Sequence, residues 1–130
     1  LIVVDASMLV ESVISPGPKG ERIRDRIRDE TLHAPAVVDY EILSAFRGLV
    51  LGGWVTDRFA RKVITRLFDL PILRSAPGTA IGRILDLRDN LTAYDASYVA
   101  LAETLRCTLL TTDRHLAAAP GIRCPVEVVS

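Results

Sequence analysis

The sequence predicts an α/β fold, a three-layer α/β/α sandwich built on a parallel sheet in the order 3-2-1-4-5. Short apolar segments alternate along the chain with longer helical ones, the arrangement parallel strands require, because each crossover needs roughly a helix's length of chain. The opening segment LIVV is apolar at every position, as expected of a strand covered on both faces. At 130 residues and 49% hydrophobic composition, the chain suits one compact domain spanning residues 1–130. Right-handed crossovers permit the proposed order, which sets the first and fourth strands side by side where the winding reverses.

Each element has a local justification. Leu1 to Val4 forms a short interior strand, and a short helix follows from about Ser7 to Ile14. SPGPKG (residues 15 to 20) stops that helix, since its prolines and glycines cannot continue it. GERIRDRIRDE makes a surface helix whose narrow apolar seam is Ile23 and Ile27, and Leu32 to Ala34 is the second strand. Pro35 suits the first turn of the next helix, AVVDYEILSAFRGLVLGG, which Gly52 and Gly53 end. Residues 56–70 are amphipathic, with Phe59, Ala60, Val63, Ile64, Leu67 and Leu70 opposite Arg58, Arg61, Lys62 and Arg66. PILRSA supplies the third strand, GTAIGRILDLRD a fifth helix and TAYDASYVALAETLR a sixth. CTLLTTD is the fourth strand, DRHLAAA a last helical turn or two, and CPVEVV the final strand.

Composition excludes several function classes. Sixteen basic and sixteen acidic side chains cancel, so attraction to a polyanion must come from local patches. Cys107 and Cys124 form no CxxC pair, and with only His33 and His115 they cannot assemble a zinc site of the usual ligand spacing. They read as reduced cytosolic thiols. No apolar run approaches the roughly 20 residues of a membrane helix, and LIVV is interrupted too early for a signal-peptide core. The expectation is a soluble, cytoplasmic protein with no membrane partner.

The acids carry the chemistry. Asp5 ends the first strand and Asp113 the fourth, beside the crevice where such sheets bind ligands. Glu41 falls by helical periodicity between Val37 and Ala45, at the edge of the apolar stripe, and so points at protein. Asp39 projects elsewhere and reads as a first-turn acid favoured by the helix dipole. Asp95 follows Thr92 in the T-x-x-D pattern. Each acid also has a structural reading: Asp5 and Asp113 as helix N-caps, Asp95 as half of a capping box. Convergence separates the readings, because caps can lie anywhere, whereas these positions can meet in one crevice. The only basic residue near them in sequence is Arg114, so crowded carboxylates would raise one another's pKa unless a cation held them ionised. An all-oxygen site suits Mg²⁺ or Mn²⁺, and such a metal in an open cleft points to phosphoryl chemistry. Ser7, Thr111 and Thr112 can orient a water or a carboxylate oxygen, or serve only as turn and strand hydroxyls.

With these residues in view, the chain resembles a PIN-domain ribonuclease, specifically the VapC-type toxin of prokaryotic toxin-antitoxin pairs. The resemblance rests on VVDAS at the first strand (Asp5, Ser7), APAVVDYEIL with Pro35 ahead of Glu41, LTAYDASYVALAETL around Asp95, and LLTTDRHL around Asp113. It implies the sheet order given above, an acidic pocket holding Mg²⁺ or Mn²⁺, endonucleolytic cleavage of RNA, a homodimer, and inhibition by a cognate antitoxin. By position, Asp5, Glu41, Asp95 and Asp113 match the family's acidic quartet. The resemblance implies Asp5 and Asp95 as direct metal ligands, Asp113 as a second-site or water-mediated one, and Glu41 as the group orienting the attacking water. Ser7 matches the family's small polar position.

Other features stay open between two readings. The helix over 37–51 carries Val38, Ile42, Phe46, Leu49 and Val50, either a surplus that a second protein covers or a helix buried within the monomer. The arginines of ERIRDRIRDE read as a solvated face paired with neighbouring acids, Asp25 with Arg22 or Arg28. Arg114 is the best phosphate contact, since guanidinium offers two donors. Two rivals remain: a haloacid-dehalogenase-like phosphatase, which wants an acid where Ser7 stands, and a noncatalytic RNA- or protein-binding module whose acids are caps.

Overall fold

A computed structural model describes residues 1–130. The strands are β1 (Ile2–Val4), β2 (Leu32–Pro35), β3 (Ile72–Ser75), β4 (Thr108–Thr111) and β5 (Val126–Val128). The helices are α1 (Ala6–Ile14), α2 (Gly17–Ile27), α3 (Val38–Leu51), α4 (Asp57–Phe68), α5 (Ile81–Asp86), α6 (Ala93–Leu105) and α7 (Arg114–Ala118). The sheet runs β3-β2-β1-β4-β5 with every neighbouring pair parallel, the order expected from the sequence. β1 is central and wholly buried, and Val4 pairs with Leu110 of β4, so the chain leaves both strands on the same edge.

Three local expectations are corrected. SPGPKG does not only end α1: α2 already begins at Gly17, whose φ of +69° turns the chain and places Pro18 in the first helical turn, where a missing N–H costs nothing. Gly20 then lies so close to the end of α1 that a Cβ there would sit 1.9 Å from the Ser15 carbonyl oxygen. Pro35 belongs to β2 and not to the following helix. It is the last residue of the strand, in register with Ser75, and the hydrogen bonding passes to Ala36, whose N–H donates to the Ser75 carbonyl at 2.8 Å. The fifth helix is shorter than residues 78–89: a 3₁₀ turn at Gly78–Ala80 precedes α5, and hydrogen-bonded turns follow it to Leu91.

One apolar cluster holds the layers together. α3 contributes Val38, Ile42 and Phe46, and α6 contributes Ala96, Tyr98, Val99 and Ala102. Phe46 is thus buried within the monomer, while the exposed apolar side chains of α3 are others, Tyr40, Leu43 and Leu51. Three of the four arginines in ERIRDRIRDE tie elements together instead of only facing solvent. Arg22 donates to the Ser130 carbonyl, Arg24 to the Ser12 carbonyl, and Arg26 bridges Glu30 and Glu127. Arg28 pairs with Asp25 as the helical spacing requires. Asp39 pairs with Arg74 of β3 at 2.7 Å and so stays out of the acidic crevice. No helix is long and apolar enough to cross a membrane.

Candidate active site

The carboxyl ends of β1 and β4 meet because their registers match, and the Asp5 N–H extends the pairing by donating to the Leu110 carbonyl at 3.2 Å. Asp5 is buried and caps α1: its Oδ1 accepts from the Met8 N–H at 3.0 Å and from the Ser7 hydroxyl at 2.6 Å. Its Oδ2 accepts from the hydroxyl of Thr111, a residue with no exposed surface. Both hydroxyls also accept. Ser7 Oγ takes the Thr112 N–H at 3.2 Å and Thr111 Oγ1 takes the Asp113 N–H at 2.9 Å. Two short polar side chains therefore lock the Asp5 carboxylate to the loop after β4. Each carboxylate oxygen has two lone pairs, so Oδ2 keeps acceptor capacity toward the crevice.

Asp113 caps α7, accepting from the His115 N–H at 2.8 Å, and is exposed, as is Arg114 beside it. Asp95 stands in the first turn of α6, where its N–H donates to Thr92 at 3.1 Å. The return bond of a capping box does not form, and the Asp95 carboxylate has no hydrogen-bond partner in the chain. Glu41, in the first turns of α3, is half-buried, and its Oε1 accepts from the Tyr98 hydroxyl at 2.5 Å.

These four acids share one electrostatic field. Burial pushes the Asp5 carboxyl above its ordinary range, against its own hydrogen bonds, and Asp113 adds to the rise. Burial likewise raises Glu41, helped by Asp95 and Asp5, and raises Asp95, helped by Asp113. No positive charge acts on Asp5, Glu41 or Asp95 in compensation. The donor set is thus all oxygen and short of a counter-charge, which fits a hard divalent cation. No three Asp, Glu, His or Cys side chains stand close enough to ligate one ion in their present rotamers. Asp113 is held only by its cap on α7, and the Asp95 carboxylate by no hydrogen bond.

Tyr98 is the site residue that sequence reasoning missed. Its signal was available: three positions after Asp95 on one helix, it shares that residue's face. A surface depression of about 570 Å³ is lined by none of the four acids. It runs between the segment after β3, α5 and α6, and its lining is mostly apolar, including Ile81, Ile84, Leu85, Tyr94 and Leu101.

Comparison with known proteins gives the family and the fold. Residues 2–122 match the PIN domain family model. The ribonuclease VapC9 of Mycobacterium tuberculosis is 38% identical over 99% of this chain and 98% of its own length. Ribonuclease VapC12 of the same organism is 36% identical over the whole of both chains. The crystal structure of PAE2754 from Pyrobaculum aerophilum superposes with a TM-score of 0.70 at 26% identity, covering 98% of this chain and 83% of that one. With a parallel sheet in the matching order and an acidic crevice at the ends of β1 and β4, the chain belongs to the PIN-domain family, among its VapC ribonucleases.

Proposed function

We propose that this chain is a metal-dependent endoribonuclease hydrolysing RNA phosphodiester bonds, the toxin of a type II toxin-antitoxin pair held in check by a cognate antitoxin. The observation that carries the reading is the gathering of Asp5, Glu41 and Asp95, all raised by burial and by neighbouring carboxylates with no positive charge to offset them, with Asp113 beside the carboxyl ends of adjacent parallel strands. Full-length likeness to proteins named ribonucleases supports the substrate class.

Asp5, Asp95 and Asp113 are the residues that would hold Mg²⁺ or Mn²⁺. Such an ion, when bound, polarises a phosphate and lowers the pKa of water. Ser7 and Thr111 fix the Asp5 carboxylate so that it need not be ordered at each turnover. Glu41 orients the attacking water and receives its proton. Arg114, exposed at the start of α7 next to Asp113, grips the phosphate backbone with paired donors. The chain works as one domain in the cytoplasm. Exposed apolar surface supports its protein partners, a second copy and the antitoxin: Ile81, Leu85 and Tyr94 beside the 570 Å³ depression, and Leu43 in a groove between α3 and α4.

A noncatalytic binding module is the second reading, favoured by the finding that Asp5 and Asp113 do cap helices. A phosphatase using Asp5 as nucleophile lacks its proton donor, since Ser7 occupies that place and donates to Asp5. The deciding experiment incubates purified protein with RNA and Mg²⁺ or Mn²⁺ and sequences the new ends. Cleavage that stops on chelation and is lost in Asp5→Asn supports the enzyme; an intact substrate, or cleavage surviving in that variant, supports the binding module or a contaminant.

A further inference from the structure

Tyr98 is an unusual core residue. It is the largest fully buried side chain of the molecule, 1% exposed, yet it carries a hydroxyl. A buried hydroxyl without a partner costs free energy that phenylalanine would avoid at equal volume. Here the hydroxyl has one hydrogen-bond acceptor, Oε1 of Glu41, 57 residues away on another helix. The Glu41 carboxylate in turn has no other hydrogen-bond partner in the chain, and three free torsions in a half-buried crevice would let it swing among rotamers.

We propose that Tyr98 is a positioning residue for RNA hydrolysis: from its buried seat on α6 it holds Glu41 by Oε1 and so presents Oε2 to the reacting water. The inference rests on the endoribonuclease reading and deepens it. The geometry is suited to that task because the two ends differ in freedom. The tyrosine ring is fully buried in the hydrophobic core, whereas Glu41 is only half-buried. A short hydrogen bond to a carboxylate also favours its ionised form, the form a proton acceptor must have. Burial and the same bond push the phenol far above its ordinary range, so it remains a donor at any working pH. Asp95 lies one turn earlier on α6, and the Ala6 backbone amide beside the phenol follows Asp5 directly, so one rigid side chain spans the elements carrying three of the four acids.

The test is a double-mutant cycle on the full chain with RNA and Mn²⁺, comparing wild type, Tyr98→Phe, Glu41→Gln and the double variant, with Asp5→Asn as control. The positioning role predicts that Tyr98→Phe lowers kcat about 10- to 100-fold with KM for RNA unchanged. In the Glu41→Gln background the same change should cost less than about twofold, since the group it acts through is gone. Melting curves select a temperature at which every variant is folded. Equal losses in both backgrounds, a kcat within about twofold of wild type, or a variant that melts out at every temperature would each reassign the hydroxyl to fold stability and overturn the proposal. Wild-type protein that does not cleave, or Asp5→Asn that still does, overturns the endoribonuclease reading itself, a result distinct from wild type cutting normally while Tyr98→Phe is indifferent.

Discussion

The hydroxyl of Thr111 donates to Oδ2 of Asp5 while accepting the N–H of Asp113 at 2.9 Å. One buried atom thus couples the acid that ends β1 to the loop that carries the acid after β4. Thr111→Val keeps the shape of the side chain but leaves a buried carboxylate oxygen and a backbone N–H short of a partner. A stability loss of about 1–3 kcal/mol and a fall in RNA cleavage of about 10- to 100-fold are expected, read by thermal melting and by initial rates. Unchanged values for both would mean that Asp5 is held by Ser7 and Met8 alone.

Asp5→Asn separates the capping role from the chemical one. Asparagine caps a helix as well as aspartate does, so α1 and the melting temperature should persist or improve as an uncompensated buried charge is removed. Metal-dependent cleavage should disappear, and the rise in melting temperature on adding Mn²⁺ to wild type should shrink. The pair of measurements is a melt with and without Mn²⁺ and an RNA cleavage assay.

Stability without metal should rise as pH falls from neutral toward about 5. Asp5, Glu41 and Asp95 all have carboxyls raised by burial, so in that window the folded chain keeps protons that the unfolded chain has released. Their contribution is full below the ordinary carboxyl values and is lost as pH climbs through the raised ones. Glu103, held down by its bonds to Arg83, acts in the opposite sense but only at more acid pH. Saturating Mn²⁺ should abolish the gain by competing with the protons. Melting temperatures across this range, with and without the ion, give the answer.

Arg114→Ala should raise KM for RNA and leave kcat near its original value. A lost phosphate contact also lowers the salt slope of binding by about one, so affinity measured against salt concentration distinguishes it from a misfolded loop. An unaltered slope would move the phosphate contact to another base.

Arg83 should matter to the fold and not to the chemistry. It donates to both carboxylate oxygens of Glu103, at 2.7 and 3.2 Å, and to the Gly121 carbonyl at 2.6 Å, joining α5, α6 and the turn before β5. With both side chains mostly shielded from water, Arg83→Ala should cost roughly 1.5–3 kcal/mol, and Arg83→Lys should recover only part of it because lysine lacks the fork. Chemical denaturation measures the loss. Cleavage assayed well below the melting temperature should stay normal.

Much of this molecule is determined by the amino-acid sequence alone. The alternation of short apolar runs with amphipathic segments specifies a parallel sheet, because crossover length and handedness leave few other solutions, and it places Asp5 directly after the first strand; Asp113, expected to end the fourth, lies two residues past its end at Thr111 because it caps α7. Glu41 could likewise be turned inward from helical periodicity. Boundaries at Pro35 and Pro18 were not legible, since proline fits a strand end and a helix start equally well and only the pairing with Ser75 and the turn at Gly17 chose between them. The partners of the acids were likewise decided by the tertiary structure. Helical periodicity already turned Asp39 away from the crevice, but its partner Arg74 and the hold of Tyr98 on Glu41, 57 positions away, came from packing. Local periodicity reports which way a side chain points, but what it meets there is set by how the layers pack.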